Sequence, residues 1–135
     1  MTFQDFHLAN GVAAGLMPPP PLTLSQWADQ YAWLSSDSGT ANAGRWHAYP
    51  YQTGIMQAFT DPAVETISWI KSTRVGYTKI IGHSVAYHIH YDPCPQMVVQ
   101  PTVEDASGYS KEEIQPMLRD TPALEGLVHE PKSRD

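Results

Sequence analysis

The segment Lys71-Ser72-Thr73-Arg74-Val75-Gly76-Tyr77-Thr78-Lys79 decides how this chain is read, because it joins an apolar run to an amphipathic one. Upstream, residues 65–71 carry Ile67, Trp69 and Ile70, and this β-branched and aromatic weight predicts a strand. Downstream, residues 78–91 predict a helix, since Ile81, Val85 and Ile89 recur every four residues along one stripe. A strand-to-helix turn offers free backbone N–H groups beside the positive end of a helix, and phosphate binds there. The usual phosphate loop is a Gly, any four residues, then Gly, Lys and Ser or Thr. Set on Gly76, the segment keeps the second Gly and the hydroxyl of Thr78, but it has Lys71 at the first Gly and Tyr77 at the Lys. The bare pattern fails, yet its physical parts are present in another order. Lysine is a point charge on a long stem, so Lys71 can reach across the loop while Thr78 offers an oxygen to Mg²⁺. The competing reading is a solvated cationic turn that merely caps the next helix.

Working outward, residues 96–100 contain Met97, Val98 and Val99, a short apolar run that predicts a strand buried on both faces. Two strands joined through a helix imply a parallel, right-handed crossover, so the fold class expected is α/β, half of a doubly wound sheet with flanking helices. Before the loop, Ser25 can cap a helix whose Trp27, Tyr31 and Leu34 share a face. Residues 35–44 read as a loop. Ile55, Met56 and Phe59 then mark a helix over 52–59 that Asp61 and Pro62 end. After residue 100, Thr102 with Asp105 and Ser110 with Glu113 match the capping-box spacing and predict two helix starts, the second helix bent or ended near Pro116. The run Pro18 to Pro21 makes residues 1–22 an extended spacer, leaving 23–135 as the folded unit.

Composition bounds the function classes. A chain of 135 residues with 41% hydrophobic residues, four Trp and seven Tyr can bury a core and is not wholly disordered. No long apolar run or basic-then-apolar leader is present, so neither a membrane span nor a secretory signal is expected, and the cytoplasm is the predicted location. The single Cys94 fits a reducing compartment. A net charge of −6 argues against general affinity for nucleic acid, but Lys71, Arg74 and Lys79 concentrate cations in the loop. Eight of the fourteen acids follow position 100, which marks that part as a solvated, mostly helical region.

Gly44-Arg45-Trp46, Tyr49-Pro50-Tyr51-Gln52, Ile55-Met56 and the loop from Lys71 to Lys79 together resemble the lambda-type bacteriophage terminase large subunits. Trp27-Ala28-Asp29, Gln100-Pro101-Thr102 and Arg119-Asp120-Thr121-Pro122 are similar to further landmarks of that family, in order, and the shifted-lysine loop is the most specific element. The resemblance implies part of a helicase-like P-loop NTPase domain that uses ATP and Mg²⁺ to drive double-stranded viral DNA into a capsid, followed by a nuclease domain. It makes Lys71 the displaced phosphate-binding lysine and Thr78 the magnesium-side hydroxyl. Arg74 and Gly76 shape the same loop, Ser72, Thr73, Val75 and Tyr77 complete it, and Lys79 lies against the nucleotide. Gln52, in a segment similar to the glutamine motif of helicase-like ATPases, would contact adenine, and Tyr51 would pack the base. The small terminase subunit and the portal of the procapsid are the implied partners.

Departures from the pattern limit what this chain does alone. No apolar strand after Lys79 ends in an acid pair, because Glu104-Asp105 and Glu112-Glu113 sit at predicted helix starts. The family's magnesium-holding acid and nuclease carboxylates are therefore expected beyond Asp135. The chain reads as a truncated fragment or prophage remnant with no catalytic residue of its own. Other readings stand beside this one. His83, His88 and His90 suggest a metal site, but residues two apart on a helix do not face each other, and packed or surface histidines fit better. Among the tryptophans only Trp46 has an adjacent arginine and is the candidate to stack on bases. A non-enzymatic module that docks the small subunit or another partner, and a flavodoxin-like phosphate binder, are the alternatives.

Overall fold

The computed structural model describes residues 21–38 and 43–128; of the proline run, residues 18–20 lie outside them, as does most of the spacer expected over residues 1–22. Helix α1, Leu24–Tyr31, is capped two residues ahead of the expected Ser25, by Thr23: its Oγ1 accepts from the Gln26 amide at 3.3 Å, while Gln26 Oε1 accepts from the Thr23 amide at 3.0 Å. Ser25 is buried inside the first turn, with Leu24, Trp27 and Ala28. Leu34, expected on the same helical face, instead belongs to β1, Trp33–Leu34, which pairs antiparallel with β2, Gly44–Arg45. A short 3₁₀ turn, Ser36–Ser38, follows β1. Helix α2, Pro50–Ala58, starts two residues earlier than predicted, since Pro50 needs no amide partner in a first turn; its Met56 is fully buried.

The predicted parallel sheet is not formed. Residues 64–72 and 96–100 run without regular structure, and neither has a ladder partner among the described residues. Ile70 is fully exposed, and Met97 and Val99 are 85% and 75% exposed. Strand propensity measures how well a side chain fits a pleated, half-buried surface, and without a neighbouring strand the preference of Ile and Val has nothing to act on. The only pairing among the described residues is β1–β2, so the fold is mixed and mainly helical.

Helix α3, Tyr77–His90, forms where the periodicity predicts it. Its buried stripe is rotated from the predicted one, however: Ile80, His83, Ala86 and Tyr87 face the core, while Ile81, Val85 and Ile89 are half-buried. The rotation follows the partners. Trp27 of α1 meets Tyr87 edge-on at 6.1 Å and its Nε1 donates to His90 Nδ1 at 2.9 Å; Tyr87 Oη donates to the Leu22 carbonyl at 2.9 Å. Thr102 caps α4, Val103–Tyr109, as predicted, accepting from the Asp105 amide at 3.1 Å. Ser110 does not start a new helix. The chain passes through a π-helical turn, Ser110–Ile114, into α5, Gln115–Asp120. Pro116 in the first turn of α5 has no N–H to give and crowds the preceding turn, and the wider π register accommodates it without breaking the helix. Met117 of α5 is buried against α3, where a side chain at Gly82 would meet its sulfur at 3.4 Å.

Candidate functional site

The loop predicted to hold phosphate closes onto the amino end of α3. Arg74 at φ 61° and Gly76 at φ 83° both take the left-handed conformation, which bends the chain sharply just before the helix. Gly76 is the N-cap and has no side chain with which to cap, so the first-turn amides of α3 keep their donor capacity at the positive helix end. The helical ladder begins with the Ile80 amide donating to the Gly76 carbonyl at 3.0 Å.

Gln52 fixes the loop from below. It is 2% exposed, its Nε2 donates to the Val75 carbonyl at 2.9 Å, and its Oε1 accepts from the Tyr49 amide at 2.9 Å. A Cβ at position 76 would stand 2.5 Å from Gln52 Nε2, so the close approach of α2 to the loop requires glycine there. Tyr51, predicted to pack a base, is exposed and stacks on Tyr49 at 5.7 Å with the rings within 5° of parallel. Lys71 places its Nζ 4.9 Å above the Tyr77 ring, a cation–π contact, and Tyr77 in turn meets Trp69 edge-on at 5.2 Å. Ser72, Thr73 and Arg74 are exposed, and Val75 and Thr78 are half-buried. Beside the loop lies a cleft of about 180 Å³ lined by Phe59, Ile67, Trp69, Tyr77 and Ile81.

Lys79 is ion-paired with Glu113 of the π turn, both side chains largely buried. The two, with Thr78, His83 and Met117, line a cavity of about 20 Å³. His83 packs edge-on against Trp46 at 4.6 Å; burial, assisted by the nearby Lys79 charge, lowers its pKa from 6.5 to about 3, so it is neutral near pH 7. His83 Nε2 and Trp46 Nε1 have no hydrogen-bond partner among the described residues. Trp46, singled out for base stacking, is thus a core residue, while Arg45 beside it donates to the Gln30 carbonyl at 2.9 Å. His88 Nδ1 lies 3.0 Å from the Asp92 carbonyl oxygen. Among the described residues no three His, Cys, Asp or Glu cluster as a metal site, and no helix is long and apolar enough to cross a membrane.

The predicted residues therefore divide. Gln52, Val75 and Gly76 meet at one point, Lys71 and Tyr77 at another, and Thr78 and Lys79 border a third, while Tyr51 has Tyr49 as its ring partner. The latch formed by Gln52 was not predicted. Its signal was local: Tyr49 and Gln52 sit three apart across a helix start, the spacing of a capping box. Arg119, flagged only as a landmark, bonds Asp37 at 2.7 Å and Asp120 at 2.6 Å and ties the 3₁₀ turn to α5.

The family model for the phage terminase large subunit gpA, ATPase domain, matches residues 40–135, which include the whole loop. The terminase large subunit of Enterobacteria phage P21 is 37% identical over 121 residues, covering 87% of this chain and 19% of that protein. The terminase large subunit of Escherichia phage lambda is 32% identical over 122 residues, covering 90% of this chain and again 19% of the relative. The chain thus spans about a fifth of the length of the relatives it matches. No solved structure matches it. With the loop, its latch and α3 all inside the matched region, the chain belongs to the phage terminase large subunit family, within its ATPase domain.

Proposed function

We propose that this chain supplies the phosphate-gripping part of an ATP-driven motor that packages double-stranded viral DNA into a capsid. The observation that carries the reading is the left-handed turn at Arg74 and Gly76, which opens onto the uncapped amino end of the fourteen-residue α3 with Lys71 and Arg74 exposed beside it. A triphosphate suits this surroundings: backbone donors, a helix dipole and two cations all favour an anion. Lys71 would reach the phosphates by leaving the face of Tyr77, a contact that holds it near the loop at modest cost. Thr78 would give Mg²⁺ one hydroxyl oxygen, and the remaining ligands would be phosphate, water and an acid from another part of the motor. ATP bound there supplies the free energy of its hydrolysis. The residues of this chain bind and orient it, and none acts as a base. Lys79 joins the site only on exchanging Glu113 for phosphate. DNA, the small terminase subunit and the portal of the procapsid are the proposed partners of the complete motor.

The test is binding of a fluorescent ATP analogue with Mg²⁺ to the chain, in wild type and Lys71→Ala. Loss of the ammonium is expected to weaken binding by about tenfold or more, the scale of a charge-assisted contact. Equal binding by the two proteins would remove Lys71 from the site, and no binding by a folded wild-type chain would end the reading.

A further inference from the structure

We propose that Glu113 is a positioning residue that competes with the triphosphate for Lys79, so that nucleotide binding loosens the segment from α4 to Glu113. The inference rests on the loop being a triphosphate site, and it adds what restrains that site before a nucleotide arrives. Lys79 is the third residue of α3, directly after Thr78, so its backbone amide is among the donors at the positive helix end. Its ammonium is paired with the Glu113 carboxylate of the π turn. Thr78, Lys79 and Glu113 line the same small cavity, which puts that carboxylate beside the first turn of α3. An anion belonging to the chain therefore already engages a cation of the helix start.

The surroundings of the pair set the terms of exchange. The Lys79 and Glu113 side chains are only 17% and 24% exposed, and charges so enclosed are costly to separate into water. A second anion changes the balance, since Lys79 can turn to phosphate without losing a partner. An ammonium has three donors, so bridging both anions is the alternative arrangement. Like charges side by side in an enclosed place repel, however, and that favours exchange over bridging. Glu113 is then left as an unpaired, mostly enclosed carboxylate that regains water only if the chain around it moves. That chain is lightly held: neither α4 nor the π turn has a fully buried residue, and Val103 at the start of α4 is 82% exposed. Beyond the π turn, α5 is anchored by the buried Met117 against Gly82, so the response is confined to residues 103–113.

The experiment measures dissociation constants of ATP and tripolyphosphate, with Mg²⁺, and amide hydrogen exchange over residues 103–113, for the wild-type chain and for Glu113→Gln, Lys79→Ala and Lys71→Ala. Glu113→Gln keeps the shape and removes the charge, and it is expected to bind both ligands about three- to tenfold more tightly, because Lys79 no longer leaves a carboxylate to meet them. Lys79→Ala is expected to bind both more weakly than wild type. Saturating wild type with ATP and Mg²⁺ is expected to speed exchange over residues 103–113, whereas in Glu113→Gln and Lys79→Ala that exchange is fast from the start and nucleotide leaves it unchanged. Binding by Glu113→Gln equal to or weaker than wild type would overturn the inference, and weaker binding is what a bridging or purely structural Glu113 gives. Wild-type exchange that nucleotide does not speed would overturn it too, a result that needs no variant to fold. So would an acceleration that persists in Lys79→Ala. If Lys71→Ala weakens binding while Glu113→Gln matches wild type, the inference falls alone; if folded wild type binds neither ligand, the triphosphate site falls and the inference with it.

Discussion

At Gly76 the backbone lies at φ 83° with the amide nitrogen of Gln52 only 2.5 Å from where a Cβ would be. Gly76→Ala therefore meets both a conformational and a steric penalty and is expected to lower stability by about 1–3 kcal/mol. Two positions earlier, Arg74 takes the same hand at φ 61° with a full side chain. Arg74→Gly relieves that strain and is expected to raise stability by about 1 kcal/mol while removing a loop cation. Urea denaturation of both variants checks the pair. Equal and negligible shifts would mean that the loop relaxes out of the left-handed conformation in solution. The strain at Arg74 was invisible in the sequence, because nothing about an arginine announces a positive φ. Gly76 was legible, as one of the two positions, with Thr78, shared with the usual phosphate loop.

Among the elements, α1 shows how a local rule places a boundary once the right residue is chosen. Thr23 and Gln26 satisfy each other's backbone donors, and Ser25, the residue favoured from the sequence, is absorbed into the buried turn. Thr23→Ala is expected to cost about 1 kcal/mol, read from the thermal midpoint, whereas Ser25→Ala should leave the cap intact. A larger effect at Ser25 than at Thr23 would contradict the observed start of α1. In α3 the boundary was legible but the buried face was not. Every helical face of Ile80 to Ile89 carries some apolar residue, and the choice among them was made by Trp27, Trp46 and Met117 packing from outside. The π turn before Pro116 likewise preserves a helix that the proline was expected to bend or end.

For the molecule as a whole, the buried His83 couples stability to pH. Its folded pKa of about 3 lies below the ordinary 6.5, so the unfolded chain takes up a proton that the folded chain refuses. Its contribution is therefore complete above about pH 6.5 and is lost as pH falls from there toward 3, at a limiting slope of about 1.4 kcal/mol per pH unit. His83→Gln is expected to flatten the fall in unfolding free energy between pH 6.5 and 4; an unchanged slope would show that His83 is protonated in the fold. Asp120, held low at about 2 by its bonds to Arg119 and Ser35, adds its own loss of stability only further into acid. What the sequence determined by itself was whatever depends on near neighbours: the loop and its cations, the extent of α3, the Thr102 cap, and a family resemblance carried by short ordered motifs. The tertiary structure alone decided which residues are buried, that Gln52 spans loop and helix, and that residues 64–72 and 96–100 stay unpaired. The reason is physical. A cap or a helical period is satisfied within a few residues, whereas a strand, a buried amide and a neutral histidine are each defined by a partner or an enclosure that arrives from far along the chain.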